Sequence, residues 1–165
     1  IPLFIQPFNP DNQLQIEEHI DRLISRLDRK GIITLKINLF ELTVQILKEE
    51  EILDAITENE QSIPKNDLIA TLDSVLDIPS VIIPKFQELI RKHHPDYVFI
   101  SGVGHVYPFI RSHGILNNMD ELTNDCKLVL FFPGDYNNQQ LKLFGLVPDE
   151  NYYRGINLNE LTPNQ

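Results

Sequence analysis

"DYVFISGVG" (residues 96–104) and "CKLVLFFPG" (residues 126–134) are the two stretches that decide the fold. Each is a nearly unbroken apolar run that stops at glycine. A strand with one wet face alternates apolar and polar residues, whereas a strand covered on both faces does not. The two runs therefore read as central strands of a parallel sheet. A helix expected to start near Pro108 supplies the crossover that a parallel pair needs.

Working upstream, "IITLKINLF" (residues 32–40) alternates Ile33, Leu35, Ile37 and Leu39 with Thr34, Lys36 and Asn38, which predicts a strand near a sheet edge. Before it, Ile16, Ile20, Leu23, Ile24 and Leu27 recur at helical spacing, opposite Glu17, Glu18, Asp21, Arg22, Arg26 and Arg29. Asp11 or Asn12 is placed to cap that helix and Gly31 to end it. "PLFIQPF" (residues 2–8) is the first strand, so the chain opens as a βαβ unit with a right-handed crossover expected. From Phe40 to His94 the pattern is helical and broken at Pro64, Pro79 and Pro84, which suggests helices at about 40–60, 65–77 and 83–93. Downstream, "LKLFGLV" and "YYRGINL" suggest one or two short final strands. The expected architecture is α/β: a Rossmann-like three-layer domain with a mainly parallel sheet, spanning residues 1–165. A helical insertion at about 40–94 is expected to project from the sheet.

At 42% hydrophobic and 23% charged, the composition is that of an ordinary soluble globular chain. No apolar run approaches the roughly 20 residues that cross a bilayer. The single cysteine, Cys126, excludes an internal disulfide and a thiolate zinc site, and is consistent with a reducing cytoplasm. The chain begins at Ile1 without a methionine, so a segment upstream is expected. The net charge is −10, and residues 41–77 carry ten acids against two bases, placing −8 of it there. Such a surface repels phosphate backbones and suits a basic partner protein, or is a solvated helical face. Glu49, Glu50 and Glu51 are its densest run and the candidate partner surface.

"SGVGHVYPFIRSH" (residues 101–113) sits where an open α/β sheet places its ligands, at a strand's carboxyl end. The familiar phosphate signatures are absent. No glycine is followed by lysine, as a P-loop requires, and the third glycine of the dinucleotide fingerprint is replaced by Tyr107. A tightly packed turn is the simpler reading of Gly102 and Gly104. His105, Arg111 and His113 are the titratable groups beside it. Adjacent His93 and His94 point apart on a helix and lack neighbours at ligand spacing, so they read as helix-end cations rather than metal ligands. No nucleophile elbow surrounds Ser101. No catalytic residue, cofactor or metal is assigned. "FFPGDY" (residues 131–136) reads as a strand end with a Pro133–Gly134 turn, holding Asp135 and Tyr136 on the same sheet edge as the "GVGH" turn.

Three blocks, "SGVGHVYPFIRSHGILNNM", "KLVLFFPGDYNNQQLKLFG" and "NYYRGINL", resemble, in order, the characteristic segments of the BrxB proteins of bacterial BREX phage-defence systems. The opening strand, helix and strand resemble that family too. The resemblance covers nearly the whole chain. It implies a role beside subunits that carry DNA methylation, ATP hydrolysis and phosphatase-like chemistry, and it brings no catalytic residues with it. The matching positions are Gly102, Gly104, Pro108, Phe109, Arg111, His113, Phe132, Pro133, Gly134, Tyr136, Tyr153 and Arg154, with Gly155 where the family has alanine. The family's short segment before the first strand agrees with a chain that starts at Ile1.

The candidate interaction or ligand rim is thus Gly102, Gly104, His105, Arg111, Asp135, Tyr136 and Arg154. The favoured expectation is a non-catalytic adaptor that links other BREX subunits, the phosphatase-like and ATPase components among them. One alternative is a degenerate NTPase-like protein that responds to a nucleotide or phosphate seated on the "GVGH" turn. Another is a nucleic-acid-associated factor, with Tyr136, Tyr152 and Tyr153 stacking on bases and Arg22, Arg26, Arg29 and Lys30 forming a local basic patch. The acidic balance argues against direct nucleic-acid contact, and no oligomeric state is legible.

Overall fold

A computed structural model describes residues 3–59 and 63–161; the expected chain start and the end of the first insertion helix at residue 60 lie outside them. The order is β1 (Leu3–Phe8), α1 (Gln13–Arg29), β2 (Thr34–Asn38), α2 (Leu39–Glu49), α3 (Ile52–Asn59), α4 (Lys65–Val75), α5 (Ile83–His93), β3 (Tyr97–Ser101), α6 (Val103–Val106), α7 (Ser112–Asn117), β4 (Lys127–Asn137), β5 (Gln140–Leu143), β6 (Val147–Tyr152) and β7 (Ile156–Asn157). β2-β3-β4-β1-β7 lie side by side and parallel, while β5 and β6 extend the sheet antiparallel from β4.

β3 and β4 are central, and β2 is the edge strand that its alternation predicts. β1 does not pair with β2: two strands separate them, so the chain jumps across the sheet after α1 and returns strand by strand to β1.

Strand alternation sorts the core onto two faces. Leu3, Ile5, Val98, Ile100, Leu128, Leu130 and Phe132 point into one cluster with Leu42 and Ile46 of α2, Ile83 and Phe86 of α5 and Ile115 of α7. Phe4, Phe99, Val129 and Phe131 point the other way, onto Ile16, Ile20, Leu23 and Leu27 of α1.

The structure revises four expectations. The helices of residues 39–93 do not project as a block. α2 and α5 form a covering layer of the sheet, with Ile46 and Phe86 buried, and of the two helices between them α4 carries no buried residue. The expected helix at 40–60 is broken at Glu51, whose φ of 59° separates α2 from α3. The second strand also stops early. Asn38 Oδ1 accepts the backbone N–H groups of Phe40 (2.9 Å) and Glu41 (3.1 Å), so it caps α2 and pulls Leu39 and Phe40 into the helix.

The fourth revision concerns Pro133 and Gly134, which form no turn. β4 runs straight through them for 11 residues, changing partners as it goes. Its first half pairs with β3 as far as Leu130 and with β1 as far as Pro133; from Gly134 it pairs with β5. A proline is tolerated there because β3 has already ended on that side. Its carbonyl still accepts the Phe144 N–H at 2.8 Å.

Candidate functional site

The carboxyl ends of β3 and β4 bring the two glycine-bearing segments together. Gly102, at φ 76°, lets the chain leave β3 with no side chain; a Cβ there would lie 2.7 Å from Asn38 Oδ1 and disturb the α2 cap. Gly104 lies against Pro133 and the Phe144 ring, where a Cβ would sit 3.4 Å from Pro133 Cγ and 2.9 Å from Phe144 Cε1. The expected helix at Pro108 is two short ones, α6 and α7, with a cis Tyr107–Pro108 bond between them. α6 has only four residues, so it offers little of the dipole that a phosphate seat needs.

The predicted rim residues divide. His105 is exposed, with its ring edge-on to Phe40 at 6.0 Å. Arg111 is exposed; its guanidinium lies 5.4 Å from the centre of the Tyr107 ring, and Nε donates to the Pro108 carbonyl at 3.4 Å. Asp135 is exposed opposite Lys142. Arg154 is exposed as well. Tyr136 is not on the rim. It is buried, its hydroxyl donating to the Tyr153 carbonyl and accepting the Gly155 N–H at 3.0 Å. The residue after Asp135 on a strand faces the core, and the hydroxyl finds partners there among backbone groups left over from β6 and β7. Tyr153 is buried too, which removes both from base stacking; Tyr152 is 70% exposed.

Between the Val103–His113 segment and the β5–β6 hairpin lies a cleft of about 350 Å³. Ile110, Phe132 and Leu141 line its apolar part; Arg111 and His113 stand on one side, Asp149 and Asn151 on the other. The Asp149 carboxylate is already engaged, accepting from the Tyr153 hydroxyl (2.7 Å) and from the Asn151 N–H (2.9 Å). Burial, with Asp149 beside it, pushes the Tyr153 phenol well above its ordinary range. Cys126 is buried, its thiol donating to the Leu122 carbonyl at 3.2 Å, and burial followed by the Asp125 charge raises its pKa, which makes it a poor nucleophile. Among the described residues, no group of three or more His, Cys, Asp or Glu side chains is placed to hold a metal ion. Among them, too, no helix is long and apolar enough to cross a membrane.

Sequence reading missed the most exposed part of this edge. Phe40 (50% exposed) and Phe144 (38%) flank the Gly104–His105 turn, and Leu146 (78%) and Val147 (38%) follow Phe144 in the chain. In the sequence Phe40 ends the expected second strand and opens the expected helical stretch, and Phe144–Val147 fall in an expected short strand. The signals that place them are the Asn38 cap and the turn after β5, where Phe144 and Gly145 both take positive φ (56° and 70°).

Of the acidic run, Glu49 is committed within the fold. Its carboxylate lies 2.6 Å from Lys85 Nζ and accepts from Gln45. Glu50 and Glu51 are exposed.

The family model described as "BREX protein BrxB" matches residues 35–158. A BREX protein BrxB of Bacillus cereus (strain H3081.97) is 33% identical over 160 residues, spanning 96% of this chain and 83% of that protein. A BREX protein BrxB of Escherichia coli O9:H4 (strain HS) is 24% identical over 148 residues, spanning 88% of this chain and 72% of that protein. No solved structure matches the chain.

Proposed function

The chain belongs to the BrxB family of BREX proteins, and from that membership we propose that it is a non-catalytic, cytoplasmic adaptor that links other subunits of the phage-defence assembly. The observation that carries this reading is the apolar rim. Phe40 and Phe144 come from two separated segments and flank the Gly104–His105 turn while staying exposed, and Leu146 and Val147 follow Phe144 in the same exposed segment. Grouped exposed apolar side chains of this kind mark a protein-docking surface. In the cleft beside them the Asp149 carboxylate is already engaged by Tyr153 and the Arg111 guanidinium lies over the Tyr107 ring, which favours a structural role for both. The phosphatase-like and ATPase components are the proposed partners, and Glu50 and Glu51 offer a second, acidic contact. The Rossmann-like kinship and the acidic character of the α2–α5 layer belong to the same reading: a sheet scaffold with one adhesive edge and one charged flank.

The test is co-purification from cells that carry the intact BREX system. Leu146 is 78% exposed, so Leu146→Asp should leave folding unchanged and remove at least one subunit from the purified complex. Retention of every subunit by Leu146→Asp and by Phe40→Asp would dismiss the rim as a contact.

A second reading, a nucleotide- or phosphate-responsive protein, has the cleft of about 350 Å³ with Arg111 and His113 behind it. Calorimetry with ATP, GTP and cyclic nucleotides decides it: heat that Arg111→Ala abolishes would support this reading, and no heat at high protein concentration removes it.

A further inference from the structure

α1 carries one face of the sheet almost alone. Among the described residues, the cluster on that face draws its helical members from α1 and from Leu158 of the Leu158–Glu160 turn. A helix about 10 Å wide covers roughly two strands spaced ~4.8 Å apart, and five strands lie side by side here. α1 is seated toward β2, β3 and β4: Lys36 of β2 reaches its Glu17 and Asp21, and Phe99 and Val129 pack with its Ile20. β1 lies toward the edge of its cover, with Phe4 and Phe8 packed against the cluster. Phe4, Gln6 and Phe8, which point to this face, stay only half-buried.

A groove of about 400 Å³ follows, between α1 and β1. Ile16 and Leu23 form its α1 wall, with Gln6 and Phe131 on the sheet side. His19, Arg22 and Arg26 line it from α1, and all three are exposed. The helix sorts its own charge across this seam. Glu17 and Asp21 lie on the opposite flank, 2.9 and 2.8 Å from Lys36, whose ammonium compensates them. Burial pulls Lys36 down, but the hydrogen bonds and charges of Asp21 and Glu17 outweigh it and leave the ammonium above 10.5. Among the described residues, the groove's arginines make one ion pair, Arg22 with Glu18 at 4.0 Å, an exposed pair of little strength. A chain of net charge −10 thus keeps a basic-lipped, apolar-walled groove beside α1.

We propose that this groove is the docking site for an acidic amphipathic helix of a partner subunit. Residues 16–26 run about 15 Å along α1, three turns of a neighbouring helix. Apolar side chains at helical spacing would pack onto Ile16 and Leu23, and carboxylates flanking them would meet Arg22 and Arg26. A nucleic acid fits less well. Phe131 is only 5% exposed and offers no stacking platform, and the rest of the chain repels a long polyanion. The inference takes the existence of a partner from the adaptor reading and gives it a surface separate from the rim.

The test places a photo-crosslinking amino acid at His19 in cells that carry the complete BREX system, with the same residue at exposed Asp28 as the control position. The expected adduct joins position 19 to a protein segment rich in Asp and Glu with apolar residues every third or fourth position. Arg22→Glu with Arg26→Glu should lower its yield by about tenfold or more. Arg22→Gln with Arg26→Gln, a milder pair, should lower it in the same direction if the reversals disturb folding. Leu146→Asp should leave the adduct in place, so failure of the rim and failure of the groove are read separately. An adduct with nucleic acid, with a second copy of this chain or with a segment lacking acidic excess would overturn the proposal. So would a yield no greater than at Asp28, or one that falls with Leu146→Asp and not with the arginine pairs.

Discussion

Gly134 has no room for a side chain. A Cβ there would lie 2.2 Å from the Lys142 carbonyl oxygen and 2.9 Å from the Phe144 nitrogen, both backbone atoms of the adjoining strand and turn. Neither can swing aside as a side chain would, so Gly134→Ala must part β4 from β5. A cost of about 3 kcal/mol is expected, at the upper end for overpacking, and read as a lower urea midpoint with an unchanged slope. An unaltered midpoint would mean that the two strands do not approach this closely. The same residue shows how far the sequence was legible. Pro-Gly is a turn signal, and local chemistry offers no other reading. What overrides it is a change of strand partner, and that depends on where β3 ends and β5 begins. Tyr136 teaches the same lesson, since its place inside follows once β4 continues through the proline.

Elements are tied by a few partly exposed charges. The Glu49–Lys85 pair links α2 to α5 across the sheet-covering layer. Hydrogen bonds from Lys85, then Gln45, hold the Glu49 carboxyl below its ordinary 4.5, and the bond to Glu49 chiefly raises Lys85 above 10.5. A depressed carboxyl contributes stability above its unfolded value and loses it as pH falls through the folded one; a raised ammonium keeps its contribution until pH passes its own folded value. The pair therefore acts between about pH 5 and pH 10. Glu49→Gln should lower the melting temperature modestly at pH 7, and the difference should shrink as acid protonates the folded carboxyl below its ordinary range. A difference that does not shrink would assign the effect to packing. Element identity came readily from the sequence here, because apolar spacing along α1, α5, β3 and β4 is a local property. Element ends did not. The Asn38 cap shortened an expected strand, and the positive φ at Glu51 replaced one expected helix with two.

At the scale of the molecule, the two proposed contacts lie on different parts of the fold: the rim at the carboxyl ends of the strands, the groove along the α1 face. An adaptor needs both. Leu146→Asp, and separately Arg22→Glu with Arg26→Glu, should each abolish protection in a phage plating assay while protein level and melting stay at wild-type values. Full protection in either variant would remove that surface from the function.

The sequence by itself determined the α/β class, the central place of β3 and β4, the edge place of β2 and the BrxB resemblance, because each rests on residue type and spacing along the chain. Only the tertiary structure decided that β1 pairs with β4 instead of β2, that β4 passes through Pro133 and Gly134, and that Phe40 and Phe144 flank one turn while α1, among the described residues, is the main cover of one face of the sheet. Those features depend on which distant segments pack together, and side-chain periodicity does not encode the partner of a strand.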